Sequence, residues 1–381
     1  MGKFVEKKEK FSFWRFLLTA VLSLHAIAFC VLVLGWSLTH VGVPGNTAQS
    51  SAVELGVLDR FNMKMTNQIS SALEGVLSIE KVYWLSDDDQ VAPEPNPDNY
   101  GTTRDPASMQ AFLDEAKEKL GVEDTLFSTD VKLMAGTEIT YYLDETILVI
   151  TWKQVINNSV YTFSEVKITD PSQFRRYLSG GEYGSGKLAI PTELANNVNA
   201  IVASSGDYYQ FRNAGVIVYE GKVYRVAEGA DTCYIDTRGN LHFTPQSQKM
   251  TMESAQKFVD ENEILFSVAF GPILVRDGEK YQFGAYGLGE VNDQFARAAL
   301  CQLDDLHYLL MNANAEGAYN SYQNMYQFAD VVYRTGCRDA YALDGGQTAV
   351  IVMDGELINR VTHGYQRKIS DIIYFATAVP D

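Results

Sequence analysis

The sequence predicts an α+β fold in which a strand-rich mixed domain with flanking helices follows one N-terminal transmembrane helix. Short segments rich in β-branched and aromatic residues, separated by turn-forming pairs, recur from residue 138 onward. A few segments with helical spacing of apolar residues interrupt these strands. Close to the N-terminus, residues 16–38 form an apolar run without Asp, Glu, Lys or Arg, and this run is long enough to span a bilayer.

The composition is that of a folded, acidic protein. The chain has 381 residues, of which 46% are hydrophobic and 21% are charged. Its 31 basic and 48 acidic residues give a net charge of −17, which argues against general nucleic-acid binding. An anionic substrate would therefore need a locally positive pocket. Cys30, Cys233, Cys301 and Cys337 show no CxxC spacing, so they predict small buried residues and neither a metal cluster nor a disulfide framework.

The charges around the apolar run predict the orientation of the chain in a membrane. Five basic residues precede the run, namely Lys3, Lys7, Lys8, Lys10 and Arg15, and the next one is Arg60. This asymmetry predicts that residues 1–15 are a cytoplasmic tail, residues 16–38 are a single-pass cell-membrane anchor and the body is extracellular. A cleaved signal peptide is the rival interpretation. It is disfavoured because its apolar core would span only about 7–15 residues and a small-residue cleavage site would follow closely.

Residues 39–124 are expected to form an extracytoplasmic helical stalk and a linker. Apolar residues recur at three- and four-residue steps over 52–85, which predicts an amphipathic helix that packs on its own domain or mediates self-association. Residues 87–106 contain an acidic triplet and four prolines, which is typical of an extended loop. A short helix over 106–120 is expected to end at Gly121.

Residues 125–381 are expected to form the main domain, in which strands dominate. Strands are predicted over 138–143, 146–155, 160–168, 199–204, 215–219, 222–226, 232–236, 241–243, 264–270, 298–303, 306–311, 341–343 and 349–353. Helices are predicted over 172–178, 252–262 and 319–335. The glycine-rich stretch ending at Lys187 has phosphate-loop spacing, but Leu188 stands where a hydroxyl should bind magnesium, so a nucleotide-binding loop is rejected.

Several predicted strands end in glycine beside an acid or a proline. These ends are Gly206-Asp207, Gly271-Pro272 and Asp344-Gly345-Gly346. Arg297 and Arg367 add positive charge, and Arg367 precedes Asp371 closely. Arginine offers a planar pair of donors to phosphate oxygens, and a carboxylate can accept or donate a proton at an anomeric carbon. We therefore expect these groups to converge on a substrate that contains both a sugar and a phosphate.

These motifs together resemble the phosphodiester glycosidase family, whose bacterial members are often labelled exopolysaccharide-biosynthesis proteins. The resemblance covers about residues 129–379. It rests on Ser-Gly-Asp-Tyr-Tyr at 205–209, the segments 215–221 and 270–278, Arg297, Ala-Leu-Asp-Gly-Gly at 342–346 and the segment 367–374. This chain departs from the family at three places. Family members typically have Asn where this chain has Ser205, and they often have Asn and Gly-Ser where it has Ala342 and Gln347-Thr348. A common Asp-Gly-Arg of the family is replaced by Asn312-Ala313-Asn314.

The resemblance implies a hydrolase that acts on sugar-1-phosphodiesters of surface glycans or polysaccharides. The implied catalytic residues are Asp344, Asp207 and Arg297, with Arg297 holding the phosphate. The implied substrate-binding residues are Gly206, Tyr208, Gly271, Pro272, Gly345, Gly346, Thr348, Arg367 and Asp371. No cofactor and no metal ligand are implied, although a divalent cation is left open. The departures from the family leave a second interpretation open, a catalytically silent module that binds glycan or wall polymer. A structural assembly component that associates through residues 52–85 is a third.

Overall fold

The computed structural model of the protein describes residues 104–120, 127–128, 139–284, 286 and 291–378. The predicted tail, the membrane anchor and the amphipathic segment at 52–85 lie outside these residues. Within the described part of the chain, no helix combines the length and the apolar character needed to cross a membrane.

The described residues form a strand-rich α+β structure. Its four α-helices are α1 (Pro106–Leu120), α2 (Pro191–Asn197), α3 (Met252–Glu261) and α4 (Met325–Arg334). Its strands are β1 (Phe127–Ser128), β2 (Ile139–Leu143), β3 (Ile147–Ile156), β4 (Ser159–Ile168), β5 (Phe174–Leu178), β6 (Val202–Ser205), β7 (Gly215–Tyr219), β8 (Lys222–Ala227), β9 (Thr232–Asp236), β10 (Leu241–Thr244), β11 (Ile264–Val268), β12 (Ile273–Arg276), β13 (Glu279–Lys280), β14 (Arg297–Asp304), β15 (His307–Asn314), β16 (Asp339–Leu343), β17 (Ile351–Met353), β18 (Glu356–Leu357) and β19 (Asp371–Phe375). The predicted α+β class is confirmed for this part of the chain.

A nine-stranded sheet forms the largest layer. Its strand order is β1-β2-β3-β4-β15-β14-β16-β12-β13, and its pairs are antiparallel except for β1 with β2. The β3–β4 hairpin closes at Asn157-Asn158, both with positive φ (53° and 61°). Two such residues in succession form the turn whose twist matches that of paired strands, and asparagine adopts this conformation readily. The predicted turn at this position is confirmed.

Smaller sheets pack on one face of the nine-stranded sheet. One has five strands in the order β18-β17-β6-β19-β5, another pairs β10, β9 and β11, and a third pairs β7 with β8. The main core lies between these layers and combines residues such as Val149 and Leu310 of the large sheet with Ile351 and Phe375 of the five-stranded sheet. Elsewhere on the large sheet, Phe328 and Val332 of α4 pack against it, and so do Met109 and Leu113 of α1.

The helix predicted over 172–178 is wrong. A single 3-10 turn at Pro171–Gln173 leads directly into β5, all five residues of which are buried. The side chain of Asp170 caps this turn by accepting from the Ser172 amide, and the side-chain oxygen of Gln173 accepts from the Asp170 amide. The strand then pairs with β19 along its whole length. Pairing with a distant strand therefore overrides the local preference for a helix.

Several other boundaries differ from the predictions, and two of the differences have a clear local cause. The helix expected over 319–335 begins only at Met325, because the Asn324 side chain accepts a bond from the backbone of Gln327 and so caps the helix there. The strand expected from Ala349 is shortened by a 3-10 turn at Gly346–Thr348. The helix predicted over 106–120 is confirmed. Cys233, Cys301 and Cys337 are free and buried, as predicted.

Candidate active site

The ends of strands from two different sheets meet at Asp344. The Asp344 amide donates to the carbonyl oxygen of Gly206 at 3.1 Å, and the Gly206 amide donates to that of Asp371, also at 3.1 Å. The Ser205 hydroxyl donates to the carbonyl oxygen of Asp344 at 2.8 Å. The end of β16 in the nine-stranded sheet is thus tied to β6 and β19 of the five-stranded sheet. The predicted residues Gly206, Asp207, Asp344 and Asp371 are brought together here.

A fully buried arginine lies beneath this junction. Arg176 of β5 reaches Asp371 Oδ2 through Nε at 2.8 Å and Asp207 Oδ2 through Nη2 at 3.2 Å, and all three side chains are completely buried. Arg176 Nη1 donates to the carbonyl oxygen of Ser267 in β11. The sequence reasoning missed Arg176. It lies in the segment expected to be a helix, where its pairing with two distant acids had no local signal.

The carboxylate of Asp207 is fully engaged inside the protein. The backbone amides of Tyr209 and Ala269 each donate to it at 2.8 Å, in addition to its ion pair with Arg176. Asp371 is also enclosed. It accepts from Arg176, from the Asp207 amide at 3.2 Å and from the Ser370 hydroxyl at 3.2 Å. Burial raises the pKa of Asp371, although Arg176 acts in the opposite direction.

Gly206 fits this junction because it has no side chain. A Cβ atom at this position would lie 1.9 Å from Asp371 Oδ2. Gly345 is also approached closely, since a Cβ atom there would lie 2.7 Å from the carbonyl oxygen of Ala296. Both glycines allow chain segments to pass closer together than any other residue would permit.

Asp344 differs from the other two acids. Its Oδ2 atom is buried and has no hydrogen-bond partner among the described residues, while the residue as a whole retains 7% exposure. Burial raises the pKa of Asp344 to about 7, and the opposing effects of Thr348, Arg367 and Arg212 do not outweigh burial. Asp344 is therefore a carboxyl group that changes protonation near neutral pH and has a free acceptor atom. Groups of this kind are typical of acid–base chemistry.

Arg367 and the aromatic residues beside it supply positive charge and flat apolar surface. Arg367 donates to the Tyr208 hydroxyl at 2.8 Å, and its guanidinium lies 5.3 Å from the centre of that ring. The Tyr208 and Phe211 rings stack at 4.6 Å, and Phe211 is 46% exposed. The predicted residues Tyr208, which is half-buried, and Arg367, which is exposed, thus contact each other directly.

Arg212 is a second cation that influences Asp344, and the sequence reasoning missed it as well. Its Nη2 donates to the carbonyl oxygens of Ala269 and Phe270 at 3.1 and 2.9 Å. Its guanidinium lies 4.6 Å from the centre of the Phe270 ring. Together with Arg367, it gives the surroundings of Asp344 positive charge that the overall charge of the chain does not predict.

The guanidinium of Arg297 is held by backbone carbonyls. Arg297 begins β14, and its backbone lies beside Gly345. Its Nε donates to the carbonyl oxygen of Gln323 at 3.0 Å and its Nη2 to that of Asp293 at 2.5 Å. The backbone of Arg297 thus lies close to the segment that carries Asp344. The cations that lower the pKa of Asp344, however, are Arg367 and Arg212.

The remaining predicted residues shape the backbone around Asp344. Gly271 donates to the carbonyl oxygen of Ala342 at 3.2 Å, and the carbonyl oxygen of Pro272 accepts from the Ala342 amide at 3.0 Å. The Thr348 hydroxyl donates to the carbonyl oxygen of Gly345 at 2.7 Å. Among the residues whose positions are described, no group of three or more His, Cys, Asp and Glu side chains is arranged to hold a metal ion.

Comparisons with known proteins give one family and several partial relatives. The phosphodiester glycosidase family model matches residues 196–376. The SPbeta prophage-derived uncharacterized protein YomE of Bacillus subtilis (strain 168) is 25% identical over 107 residues, which are 28% of this chain and only 17% of that protein.

Three solved structures are similar in part. The catalytic domain of zebrafish N-acetylglucosamine-1-phosphodiester alpha-N-acetylglucosaminidase, auto-inhibited by its pro-peptide, has a TM-score of 0.49 and 18% identity, covering 61% of this chain and 83% of that one. A hypothetical protein from Synechocystis has a TM-score of 0.44 and 14% identity, covering 62% and 63%. A putative exported protein from Burkholderia pseudomallei K96243 has a TM-score of 0.41 and 12% identity, covering 57% and 74%.

The expected resemblance is thus confirmed for the part of the chain that carries the site. The matched range includes Gly206, Asp207, Arg212, Asp344 and Asp371, whereas Arg176 lies before it. The part of the chain that the phosphodiester glycosidase family model matches, residues 196–376, is thus the part that holds Asp344 and its surroundings.

Proposed function

We propose that this protein hydrolyses sugar-1-phosphodiesters of surface glycans or polysaccharides and releases a free sugar and a phosphomonoester. The observation that carries the proposal is the carboxyl group of Asp344, which has an unpartnered oxygen and a pKa raised to about 7. A buried carboxyl oxygen without a hydrogen-bond partner lowers the stability of the folded protein unless a ligand donates a hydrogen bond to it. The family match supports the glycosidase class of the reaction.

The cations and rings near Asp344 fit the two halves of such a substrate. Arg367 and Arg212 are the cations that influence Asp344, and we assign to them the contact with the phosphate. The stacked rings of Tyr208 and Phe211 offer an apolar face against which a sugar ring can lie. Arg297, expected to hold the phosphate, is assigned a supporting role instead, because its guanidinium already binds two backbone carbonyls.

In the proposed reaction, Asp344 acts as a general base. A water molecule attacks the anomeric carbon and transfers a proton to the ionised Asp344 carboxylate, while the bond between that carbon and the phosphate oxygen breaks. The electron pair of the broken bond stays on the phosphate oxygen, so the leaving group is a phosphomonoester. Arg367 and Arg212 stabilise its growing negative charge. Asp344 then returns the proton to solvent. The phosphate is a good leaving group and gains little from protonation, so a base is the more useful role for Asp344, which alone among the three described acids of the junction has an oxygen without a partner.

The proposal includes export and anchoring. Residues 16–38 are uncharged and follow a basic segment, which supports a single-pass anchor with the enzymatic domain on the outer side of the cell membrane. Glycans that carry phosphodiesters at the cell surface would then lie within reach of the domain.

The activity can be tested with the purified full-length protein and a panel of defined sugar-1-phosphodiesters. We expect release of free sugar and phosphomonoester in equal amounts, and an Asp344→Asn variant should lose at least about 100-fold in kcat because the proton acceptor is missing. An equally active variant would contradict the role of Asp344. Saturable binding of phosphate-bearing polysaccharide without release of sugar by the parent protein would contradict the hydrolase and favour the binding module.

A further inference from the structure

We propose that Arg176 is a positioning residue that fixes Asp344 in its reactive place through Gly206, and that Asp207 and Asp371 belong to this buried scaffold and do not transfer protons to the substrate. The inference rests on the proposed function for its kinetic consequence, but the structural link between Arg176 and Asp344 can be measured without any turnover. Arg176 lies outside the residues matched by the family.

The scaffold joins three separate parts of the fold at one guanidinium. Arg176 on β5 contacts Asp371 at the start of β19, Asp207 just after β6 and the carbonyl oxygen of Ser267 on β11. The planar fork of arginine lets one side chain hold three acceptors in fixed directions, which the point charge of a lysine cannot do. Removal of this fork would leave two buried carboxylates without their cation.

The scaffold is linked to Asp344 by a short series of hydrogen bonds. The Asp371 backbone accepts from the Gly206 amide, and the Gly206 carbonyl accepts from the Asp344 amide, each at 3.1 Å. The missing side chain of Gly206 leaves the space that Asp371 Oδ2 occupies. A shift of Asp371 or Asp207 therefore moves Gly206, and a shift of Gly206 moves the backbone of Asp344.

The bonding of the three acids separates their roles. Asp207 accepts from two backbone amides and pairs with Arg176, and its fully buried side chain is directed into the protein. Asp371 is fully buried and accepts from Arg176, Ser370 and the Asp207 amide. Asp344 alone among the three has an oxygen without a partner in the described structure.

A buried charge network of this kind is not needed for stability alone. Well-packed apolar residues often replace buried ion pairs at no loss of stability, whereas a buried network of ion pairs and hydrogen bonds can fix one arrangement of the segments that it joins. The neighbouring Arg175 offers a matched comparison. It is also buried on β5, but its Nε donates to the carbonyl oxygen of Ser172, away from the acids.

The test compares Arg176→Lys with Arg175→Lys in the full-length protein. Amide hydrogen exchange is followed in peptides that cover 205–209 and 343–346 and in control peptides from β3 and β4. We expect Arg176→Lys to accelerate exchange at least about tenfold at the Asp344 and Gly206 amides without a matching change in β3 and β4, because only the local support is lost. Arg175→Lys should leave the exchange of both amides unchanged.

Kinetics provide the second readout. On a sugar-1-phosphodiester, Arg176→Lys should lower kcat about 10- to 100-fold while KM stays within about threefold, since a displaced base affects the chemical step more than binding. A residue that only supports folding would lower the melting temperature and leave the kcat of the folded fraction unchanged. That result would overturn the proposal.

Two further outcomes separate this inference from the proposed function. If the parent protein releases no sugar but Arg176→Lys still loosens Asp344 and Gly206 alone, the positioning link stands and the hydrolase assignment fails. Unchanged exchange at Asp344 in a folded Arg176→Lys variant overturns the positioning link whatever the activity. If Arg176→Lys does not fold, the Asp371→Asn variant replaces it, because it weakens the same contact without a change in size, and the same local acceleration is required.

Discussion

At the scale of single residues, the features of Asp344 that suit its proposed role as a base also lower the stability of the folded protein. Its oxygen without a partner and its raised pKa both reflect burial of a carboxyl group that the fold does not fully satisfy. Asp207, which follows Gly206 in the same junction, has the opposite arrangement, because both of its carboxylate oxygens accept from backbone amides and one also pairs with Arg176. Two acids in the same junction thus have different environments, and this difference is why the proposed reaction assigns the proton transfer to Asp344.

The stability of the protein should report the state of Asp344. The pKa of Asp344 is raised from 3.8 to about 7 in the folded state. At pH values between these two, the folded protein holds a proton on Asp344 that the unfolded chain has lost. The favourable contribution of this group is therefore complete below about pH 4 and disappears as the pH rises through about 7. We expect Asp344→Asn to raise the free energy of unfolding at pH 8 by on the order of 2 kcal/mol, and this gain should shrink as the pH falls to 4.

Urea denaturation at several pH values measures this difference. The matched control is Asp207→Asn, which should destabilise the protein at pH 8 because it removes the negative charge that pairs with Arg176 and one of the two oxygens that accept from backbone amides. A destabilised Asp344→Asn protein at pH 8 would show that the Asp344 carboxylate is already well satisfied in the folded state.

Arg367 should act on substrate affinity. It is exposed and is held over Tyr208 and Phe211, so its removal should cause little loss of stability. An Arg367→Ala variant should raise KM about 10-fold or more, because a charge-assisted hydrogen bond to a phosphate contributes roughly 1.5–3 kcal/mol. The neighbouring exposed Lys368 provides the control, and Lys368→Ala should change KM by less than about twofold. Equal effects of both variants would point to a general charge effect and not to a specific contact.

At the scale of secondary-structure elements, the junction depends on how closely segments can approach. Gly206 and Gly284 both lack a positive φ, but only Gly206 has an atom in the way of a Cβ, Asp371 Oδ2 at 1.9 Å. Gly206→Ala should therefore destabilise the fold by about 1–3 kcal/mol or more through a clash, whereas Gly284→Ala should be close to neutral because nothing lies within 4 Å. Chemical denaturation midpoints compare the two, and a neutral Gly206→Ala would contradict the close packing at the junction.

The sequence predicted most elements whose signals are local. The β3–β4 hairpin followed from β-branched residues around Asn157-Asn158, and the helix over 106–120 followed from its apolar spacing. Strand β5 could not be predicted in the same way, because its conformation depends on pairing with β19, almost two hundred residues later. Arg176 was missed for the same reason, since a buried arginine is recognisable only when its distant acidic partners are known.

The candidate site was predictable in part. Glycine-acid pairs at strand ends marked Gly206-Asp207 and Asp344-Gly345 correctly as neighbours in space, because glycines are used where backbones must approach. Their division into a scaffold acid and an acid with a free oxygen was not visible, since it depends on hydrogen bonds to Tyr209 and Ala269. The orientation of the Arg297 side chain likewise depends on the backbone carbonyls of Gln323 and Asp293, whose positions cannot be predicted from the sequence.

At the scale of the whole molecule, the site lies where sheets converge. Asp344 ends a strand of the nine-stranded sheet, Asp371 begins a strand of the five-stranded sheet and Ser267 belongs to the three-stranded sheet. Large sheets with packed cores hold their strand ends rigidly, which is what a catalytic arrangement needs. The net charge of −17 repels anions in general, so the local charges of Arg367 and Arg212 are what would admit a phosphodiester.

In the proposed reaction, the ionised Asp344 carboxylate accepts a proton from water during hydrolysis of a sugar-1-phosphodiester. The most direct measurement is the dependence of kcat/KM on pH between 5 and 9 for the parent protein and for Asp344→Asn. Because a base must be deprotonated to act, kcat/KM of the parent should rise with pH and reach half of its plateau near the Asp344 pKa of about 7. The residual activity of Asp344→Asn should lack this rise. The same rise in the variant, or a fall of the parent's kcat/KM through pH 7, would contradict the account.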